Sequence, residues 1–217
     1  MQVKRILSAL LLVLVAWLHV GLPAAIAGTG VAGRVQITDN TEDTYVEQSA
    51  IIDPAASTTD AFTKAGSASK TVYIQRVELF YSDSTYNAPA ECHLIKRSTL
   101  DSGGTSTDAT AVPMDSGFAS SSSTAMKCFT ANPSSLGTEV GKIKTTWIWN
   151  DPGPAGTQFN TTVSIDSALS RVLFDATTDN GPIVLRGTSQ NIAVNFGGAS
   201  PGSTAARLAC RIIYREK

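Results

Sequence analysis

Alternation of hydrophobic and polar residues is the clearest pattern in this chain. In residues 142–149, Ile143, Thr145, Trp147 and Trp149 occupy every second position. A period of two predicts a β-strand with one buried face, and here it predicts that both tryptophans pack in a core. Similar patterns predict eight further strands, at residues 35–38, 71–81, 92–98, 126–130, 172–175, 183–186, 191–196 and 208–215.

Gly, Pro, Asn and Ser clusters separate these predicted strands and are typical of turns. The best helical candidate, residues 53–64, has Asp53 and Pro54 in the starting positions, but Ser and Thr residues dilute it. Many short strands joined by turns, without a helical period, predict an all-β fold. We therefore expect an antiparallel β-sandwich or jelly roll.

The first 27 residues have the features of a secretory signal peptide. Lys4 and Arg5 precede an apolar run over residues 6–20, and Ala25 and Ala27 are small residues at the positions that a signal peptidase reads. This predicts export, with cleavage after Ala27, to an extracellular or virion-surface location. Two alternatives are an uncleaved membrane anchor, which would be the only membrane contact, and an apolar N-terminal leader helix buried in an assembly.

Polarity changes along the exported part of the chain. Residues 28–70 are more polar and less regular than the rest, which predicts an N-terminal arm or peripheral strands. Residues 71–217 are predicted to form the sandwich itself. Within them, the serine-rich tract at residues 120–124 is of low complexity and predicts a mobile loop.

Composition and charge exclude several function classes. The net charge is −1 and only 16% of residues are charged, so the chain lacks the clustered Lys and Arg residues that bind nucleic acid. About a quarter of the residues from Gly28 onward are Ser or Thr. That segment has one His and three dispersed Cys, which do not form a zinc cluster. We predict no cofactor, no metal and no nucleic-acid partner.

No coherent set of catalytic residues emerges. Ser200 lies in a G-x-S-x-G pattern, but Pro201 follows it and has no N–H group for an oxyanion hole. His93 is adjacent to Cys92 on a predicted strand, so their side chains point to opposite faces and cannot form a nucleophile pair. The sequence therefore predicts that the protein is not an enzyme and has no catalytic residues.

The sequence also offers two possible binding sites at the surface, one for calcium and one for sugars. Asp175, Asp179 and Asn180 could offer oxygen ligands to calcium, but their spacing does not match a known loop and an ordinary Asn-Gly turn explains them. Exposed aromatic rings could stack on sugars. The candidates are Trp147, Trp149, Tyr81 and Tyr86, and they define the alternative function of a secreted carbohydrate-binding module.

The three cysteines leave several possibilities open. Cys210 lies on the apolar face of the last predicted strand, while Cys92 and Cys128 flank a long Ser/Thr/Gly segment and could be neighbours across a sheet. Export permits disulfides, and three cysteines allow three single pairs. Free buried thiols are the alternative.

Three stretches of sequence together resemble a group of poorly characterised proteins from tailed phages and prophage-like regions. They are residues 93–99 continuing into 102–107 and 110–113, residues 129–133 with 136–138, and residues 182–188 with 193–195. The resemblance covers residues 71–217 and implies a jelly-roll module in capsid decoration or a fibre-like role. It implies an oligomer but carries no catalytic motif.

From these observations we expect a non-enzymatic structural or interaction protein. Its partners would be copies of itself and other virion or surface proteins, with a glycan as the alternative ligand. The predicted signal peptide departs from the phage pattern, because virion proteins assembled in the cytoplasm do not normally have a leader. The module would then belong to an exported bacterial surface protein, or residues 1–27 would serve assembly or membrane contact.

Overall fold

The computed structural model describes residues 42–55, 57–82, 90–148, 169–201 and 206–217. These residues contain twelve β-strands and no α-helix. In chain order the strands are β1 (Asp43–Gln48), β2 (Asp60–Ala65), β3 (Val72–Ser82), β4 (Ala90–Arg97), β5 (Thr105–Asp108), β6 (Ala111–Pro113), β7 (Lys127–Ala131), β8 (Glu139–Ile148), β9 (Leu169–Asp175), β10 (Ile183–Leu185), β11 (Asn191–Asn195) and β12 (Arg207–Glu216).

The strands form two antiparallel sheets of six strands each. Sheet A has the order β10-β3-β12-β1-β6, and β9 pairs with β3 beside β10. Sheet B has the order β5-β7-β2-β11-β4-β8. The all-β prediction is therefore confirmed for the described residues, and the two antiparallel sheets are consistent with the predicted sandwich.

The pairing of the strands is nested from the ends of the described chain inward. β1 pairs with β12, β2 with β11, β3 with β9 and β10, and β4 with β8. The chain thus follows the path of one long hairpin folded over on itself. β5, β6 and β7 are an insertion between β4 and β8, and they extend sheets A and B beyond β1 and β2.

Alternate residues of both sheets fill one hydrophobic core. On β12, Leu208, Cys210, Ile212 and Tyr214 are completely or almost completely buried, as the alternation predicts. The Tyr214 ring stacks on that of Tyr45 with a centroid separation of 5.4 Å. Burial of a large apolar side chain contributes about 1.5–3 kcal/mol, so these inner faces hold the sheets together.

The predicted strands within the described residues are all present. The predicted strand at 35–38 and the leader at 1–27 lie outside the described residues. The described part of the chain contains no helix long and apolar enough to cross a membrane.

The boundary predicted at residue 70 differs from the structure, because β1 and β2 are inner strands rather than an arm or peripheral strands. β1 lies between β12 and β6, and β2 lies between β7 and β11. The last five residues of the helical candidate at 53–64 belong to β2 instead. Sequence patterning misses both strands because several of their buried side chains are polar, including Glu47, Asp60 and Lys64.

The serine-rich tract is held in place, contrary to the prediction of a mobile loop. Ser122 N and Ser123 N donate to the carboxylate of Glu216 at 3.0 Å each, and Ser121 Oγ donates to it at 2.6 Å. Glu216 itself is buried. The tract is therefore attached to the end of β12 by hydrogen bonds that its composition does not reveal.

Candidate functional site

Trp147 is the largest exposed hydrophobic side chain among the described residues, with 56% of its surface accessible. It lies on β8, which is the last strand in the order of sheet B, and its cross-strand neighbour on β4 is Glu91. The inner face of β4 carries Cys92 and Leu94, so Glu91 and Trp147 point away from the core. Trp147 therefore lies on the outer face of the sandwich.

Two β-bulges expose further apolar residues on β8. The pairing of β4 with β8 skips Val140 and Ile143, which are the extra residues of the two bulges. Their accessible fractions are 63% and 37%. We call the set Val140, Lys142, Ile143, Thr145 and Trp147 the β8 surface.

A hydrogen-bonded group of polar side chains lies within and beside the β8 surface. His93 Nδ1 is 2.9 Å from Thr145 Oγ1, and Lys142 Nζ is 3.2 Å from His93 Nε2. A lysine ammonium only donates, so Nε2 is the acceptor and Nδ1 carries the proton that is donated to Thr145. Glu91 Oε2 lies 3.8 Å from His93 Nε2. These contacts hold the His93 imidazole in one orientation. They also leave hydrogen-bond donors and acceptors beside the exposed indole of Trp147.

The prediction that Trp147 packs in the core is wrong. The inner side of β8 is the one with Lys144, Thr146 and Ile148, of which Ile148 is buried and the other two are half-buried. Among the described residues β8 is an edge strand, and it reaches the core only at its end, with Ile148. It therefore needs few apolar residues on its inner side. The alternation of residue types does mark a strand, but its apolar side faces solvent.

The other aromatic candidates add no stacking surface to the described chain. Tyr81 is buried, with 4% of its surface accessible. Trp149 and Tyr86 lie outside the described residues. Of the predicted sugar-stacking residues, the structure therefore places only Trp147 at the surface of the described chain.

The residues considered for catalysis lie on β4 and in the turn after β11. Cys92 faces the core, while His93 lies on the opposite face of β4, as predicted for neighbours on a strand. Ser200 lies in the turn after β11, where Gly198 N donates to Thr58 O at 2.9 Å. The next described element is β12, and not the helix that follows the nucleophile of a hydrolase elbow.

The acidic turn after β9 uses its carboxylates internally. Asp175 Oδ1 accepts hydrogen bonds from Thr177 N at 2.9 Å and Thr177 Oγ1 at 2.6 Å, and Asp179 Oδ2 accepts one from Asp175 N at 2.9 Å. The bonds from Thr177 hold the pKa of Asp175 below its usual value. Asn180 has a φ of 64°, as expected for an Asn-Gly turn. No group of three or more metal-ligating side chains suited to an ion occurs among the described residues.

All three cysteines are buried and free. Cys92 and Cys128 are not neighbours across a sheet, because β2 and β11 lie between their strands. Three strand spacings amount to about 14 Å, whereas a disulfide joins Cα atoms about 4.4–6.8 Å apart. Cys210 lies in the other sheet. Burial raises the pKa of Cys92 and of Cys128 to about 12, which leaves both as unreactive thiols.

Comparison of the chain with known protein families, with characterised proteins and with solved structures finds no match. What the chain does must therefore be inferred from the β8 surface and from the arrangement of the strands.

Proposed function

We propose that this chain is a non-enzymatic structural and interaction protein that assembles on a virion or another extracellular surface. The observation that carries the proposal is the exposed apolar group formed by Val140, Ile143 and Trp147 on β8, which is an edge strand among the described residues. Exposed apolar side chains grouped on one surface are typical of interaction sites, and these three lie along one strand. Tryptophan in particular is enriched among the residues that dominate binding energy.

We propose further that the sandwich is a jelly roll. Without the insertion β5–β7, sheet A reduces to β1-β12-β3-β9/β10 and sheet B to β2-β11-β4-β8. Nine strands remain, and β9 and β10 pair with successive parts of β3, so each sheet has four strand positions. Two four-position sheets with nested antiparallel pairing correspond to the doubled Greek key of a jelly roll. Jelly rolls serve in viral capsids and in lectins, so the topology is compatible with surface assembly and with sugar binding alike.

The form of β8 indicates how a partner would bind. Bulges and lysines on an edge strand oppose open-ended strand pairing, and β8 has two bulges together with Lys142 and Lys144. A partner would therefore pack on the outward side chains and not extend the sheet. The partner proposed is a second copy of this chain or another surface protein.

Light scattering coupled to size-exclusion chromatography tests the assembly. We expect the full-length wild-type chain to form a discrete oligomer and Trp147→Ser to shift it toward the monomer. Val112→Ser is the matched control, because Val112 is 54% exposed on β6 of the other sheet. A strictly monomeric wild type, or an oligomer that is the same in Trp147→Ser, would contradict the proposal.

Carbohydrate binding is the second candidate, and the exposure of Trp147 favours it. Its indole could stack on a sugar ring while Glu91 and Thr145 supply hydrogen bonds. Titration of the tryptophan fluorescence with a panel of polysaccharides tests this function. Saturable binding that is lost in Trp147→Ala and kept in Val140→Ser would support it, and an unchanged spectrum across the panel would remove it.

The proposed location depends on the N-terminal segment. Signal-peptide cleavage after Ala27 would give a native protein that begins at Gly28 and is found outside cells. Mass analysis of the native N-terminus, together with the fraction in which the protein is found, tests this. An intact Met1 in purified particles would favour the virion and contradict cleaved export.

A further inference from the structure

Two oppositely charged side chains meet in the core between the two sheets. Glu47 on β1 of sheet A and Lys64 on β2 of sheet B are both completely buried. Lys64 Nζ lies 2.6 Å from Glu47 Oε2. The contact thus connects the sheets through one amine and one carboxyl group, in a place that water does not reach.

The surroundings hold both groups in a defined orientation. Lys64 Nζ donates to Ser123 Oγ and to Thr124 O, each at 2.8 Å. Met126 N donates to Glu47 Oε1 at 3.0 Å. Within the described chain, the polar group that faces Glu47 Oε2 is the Lys64 amine. One carboxyl oxygen is therefore held by a backbone N–H and the other faces the nitrogen.

Two aromatic residues, Tyr214 and Tyr45, lie beside the buried Lys64 amine. Lys64 Nζ lies 4.2 Å from the centre of the Tyr214 ring, which stacks on Tyr45. A cation–π contact partly offsets burial of the ammonium. Burial nevertheless lowers the pKa of Lys64, against the opposing effect of Glu47. A neutral amine is a nucleophile, and lysines that react in proteins are activated in this way.

Burial of an ion pair is energetically unfavourable, because the desolvation of each ion costs several kcal/mol. Conversion of the pair into a single amide would remove both charges from the core. The amide would retain an N–H group that can donate to Thr124 O or Ser123 Oγ, and a carbonyl that can accept from Met126 N.

We propose that Lys64 Nζ and Glu47 Cδ condense to form an isopeptide bond that joins the two sheets covalently. A proton first passes from the ammonium to Glu47 Oε2 across their 2.6 Å contact, which leaves an amine and a carboxylic acid. The amine then forms the C–N bond to Cδ, while Met126 N–H stabilises the negative charge that develops on Oε1. The C–Oε2 bond breaks, a second nitrogen proton goes to the leaving hydroxyl, and one water molecule is released.

The reaction balances without a cofactor or oxidant. An ammonium and a carboxylate become an amide and water, and the nitrogen keeps one of its three protons. Exclusion of water from the core opposes hydrolysis of the product. The proposal is independent of the function of the β8 surface.

A second lysine pair in the same part of the sandwich serves as an internal comparison. Lys70 Nζ lies 2.9 Å from Asp43 Oδ2, but these side chains are 33% and 23% exposed. Solvent stabilises both charges there, and hydrogen bonding to Asp43 raises the pKa of Lys70. We expect this pair to remain ionic.

Peptide mass spectrometry of the folded, full-length protein tests the proposal. Trypsin should leave Lys64 uncut while it cleaves at Lys70, which gives a peptide of residues 35–70 lighter than its sequence by one water molecule. A protease that cuts before aspartate should leave residues 43–52 and 60–82 joined, and fragmentation should locate the link at Glu47 and Lys64.

Two variants distinguish the proposed bond from other losses of water. Lys64→Arg keeps the positive charge but has no primary amine, so the joined peptides should disappear. Lys70→Arg should keep them. Separate, unmodified peptides from the folded wild-type protein would overturn the proposal, and so would a link that persists in Lys64→Arg.

Discussion

Arg97 holds the buried carboxylate of Asp60 in a two-pronged ion pair. Its Nε lies 2.8 Å from Oδ2 and its Nη2 lies 3.0 Å from Oδ1. Arg97 Nη1 also donates to Gly137 O at 2.7 Å. The guanidinium thereby connects β2 and β4 of sheet B with the segment that leads into β8. Both side chains are almost completely buried, so each depends on the other for its charge to be tolerated.

Removal of Arg97 should destabilise the protein strongly. Arg97→Met leaves the Asp60 carboxylate buried without its cation, and the breaking of a buried pair in this way costs about 3–5 kcal/mol. We expect a loss of that size in the free energy of unfolding, measured by urea denaturation. Lys127→Met is the control, since the Lys127–Asp108 pair is largely exposed and such pairs contribute about 1 kcal/mol or less. Equal losses for both variants would contradict the expectation.

Asp101 should make the stability of the protein depend on pH. Burial, together with hydrogen bonding to Asp60, raises its pKa from 3.8 to about 7, against the effects of Gly137 N–H and Arg97. A raised pKa means that the folded protein binds this proton more tightly than the unfolded chain does. Its stabilising contribution is therefore complete below pH 3.8 and is lost as the pH rises through about 7.

The difference between the wild type and Asp101→Asn isolates this contribution. We expect the wild type to lose stability relative to the variant between pH 4 and pH 7, as measured by denaturation at a series of pH values. The variant retains a polar side chain of the same shape but does not titrate. If the two stability curves ran parallel, Asp101 would not be the responsible group.

Glu216 should control the order of the serine-rich tract. Burial raises its pKa, but hydrogen bonds from Ser121, Ser122 and Ser123 outweigh that effect and hold the pKa below its usual value. In Glu216→Gln the charge is lost, and we expect the backbone amides of Ser122 and Ser123 to exchange hydrogen faster. Native-state hydrogen exchange measures this, with Glu139→Gln on the exposed part of β8 as the control. Unchanged exchange in Glu216→Gln would show that other contacts hold the tract.

The pH dependence of this contact runs opposite to that of Asp101. A lowered carboxyl pKa contributes stability that is present above the ordinary value of 4.5 and is lost as the pH falls through the folded value. Amide protection in the tract should therefore weaken under acidic conditions. In Glu216→Gln this weakening should be absent.

The three thiols should react only when the protein unfolds. Cys92, Cys128 and Cys210 are buried in the core, and burial raises the pKa of each. Since the thiolate is the reactive form, an added thiol reagent should modify none of them in the native protein and all three in denaturant. Thr110→Cys places a thiol at an exposed position and shows that the reagent is active. Rapid modification of a native cysteine would contradict this prediction.

The class of fold is predictable from the residues alone, because solvent and core impose a period of two on any strand buried on one side. This is why β12, with Leu208, Cys210, Ile212 and Tyr214 buried, was predictable in detail. The turns were predictable too, since Asn180 and Gly181 occur where φ is positive.

The positions of the polar residues, in contrast, depend on contacts between distant parts of the chain. Every residue of β2 is buried, although its sequence is half polar, because Asp60 pairs with Arg97 and Lys64 with Glu47. A partner far along the chain leaves no local pattern, so the residues of β2 by themselves predict part of a polar arm. For the same reason the attachment of the serine-rich tract to Glu216 was not predictable.

Prediction of the candidate site from the sequence is limited in the same way. Alternation identifies Trp147 and its neighbours on β8 as one face of a strand, but alternation does not tell which face meets the core. That choice depends on the position of β8, which among the described residues is an edge strand whose inner side contributes only Ile148 to the core. A strand's pattern follows from its own residues, whereas its position in a sheet follows from pairing between distant segments, and this pairing placed Trp147 at the surface.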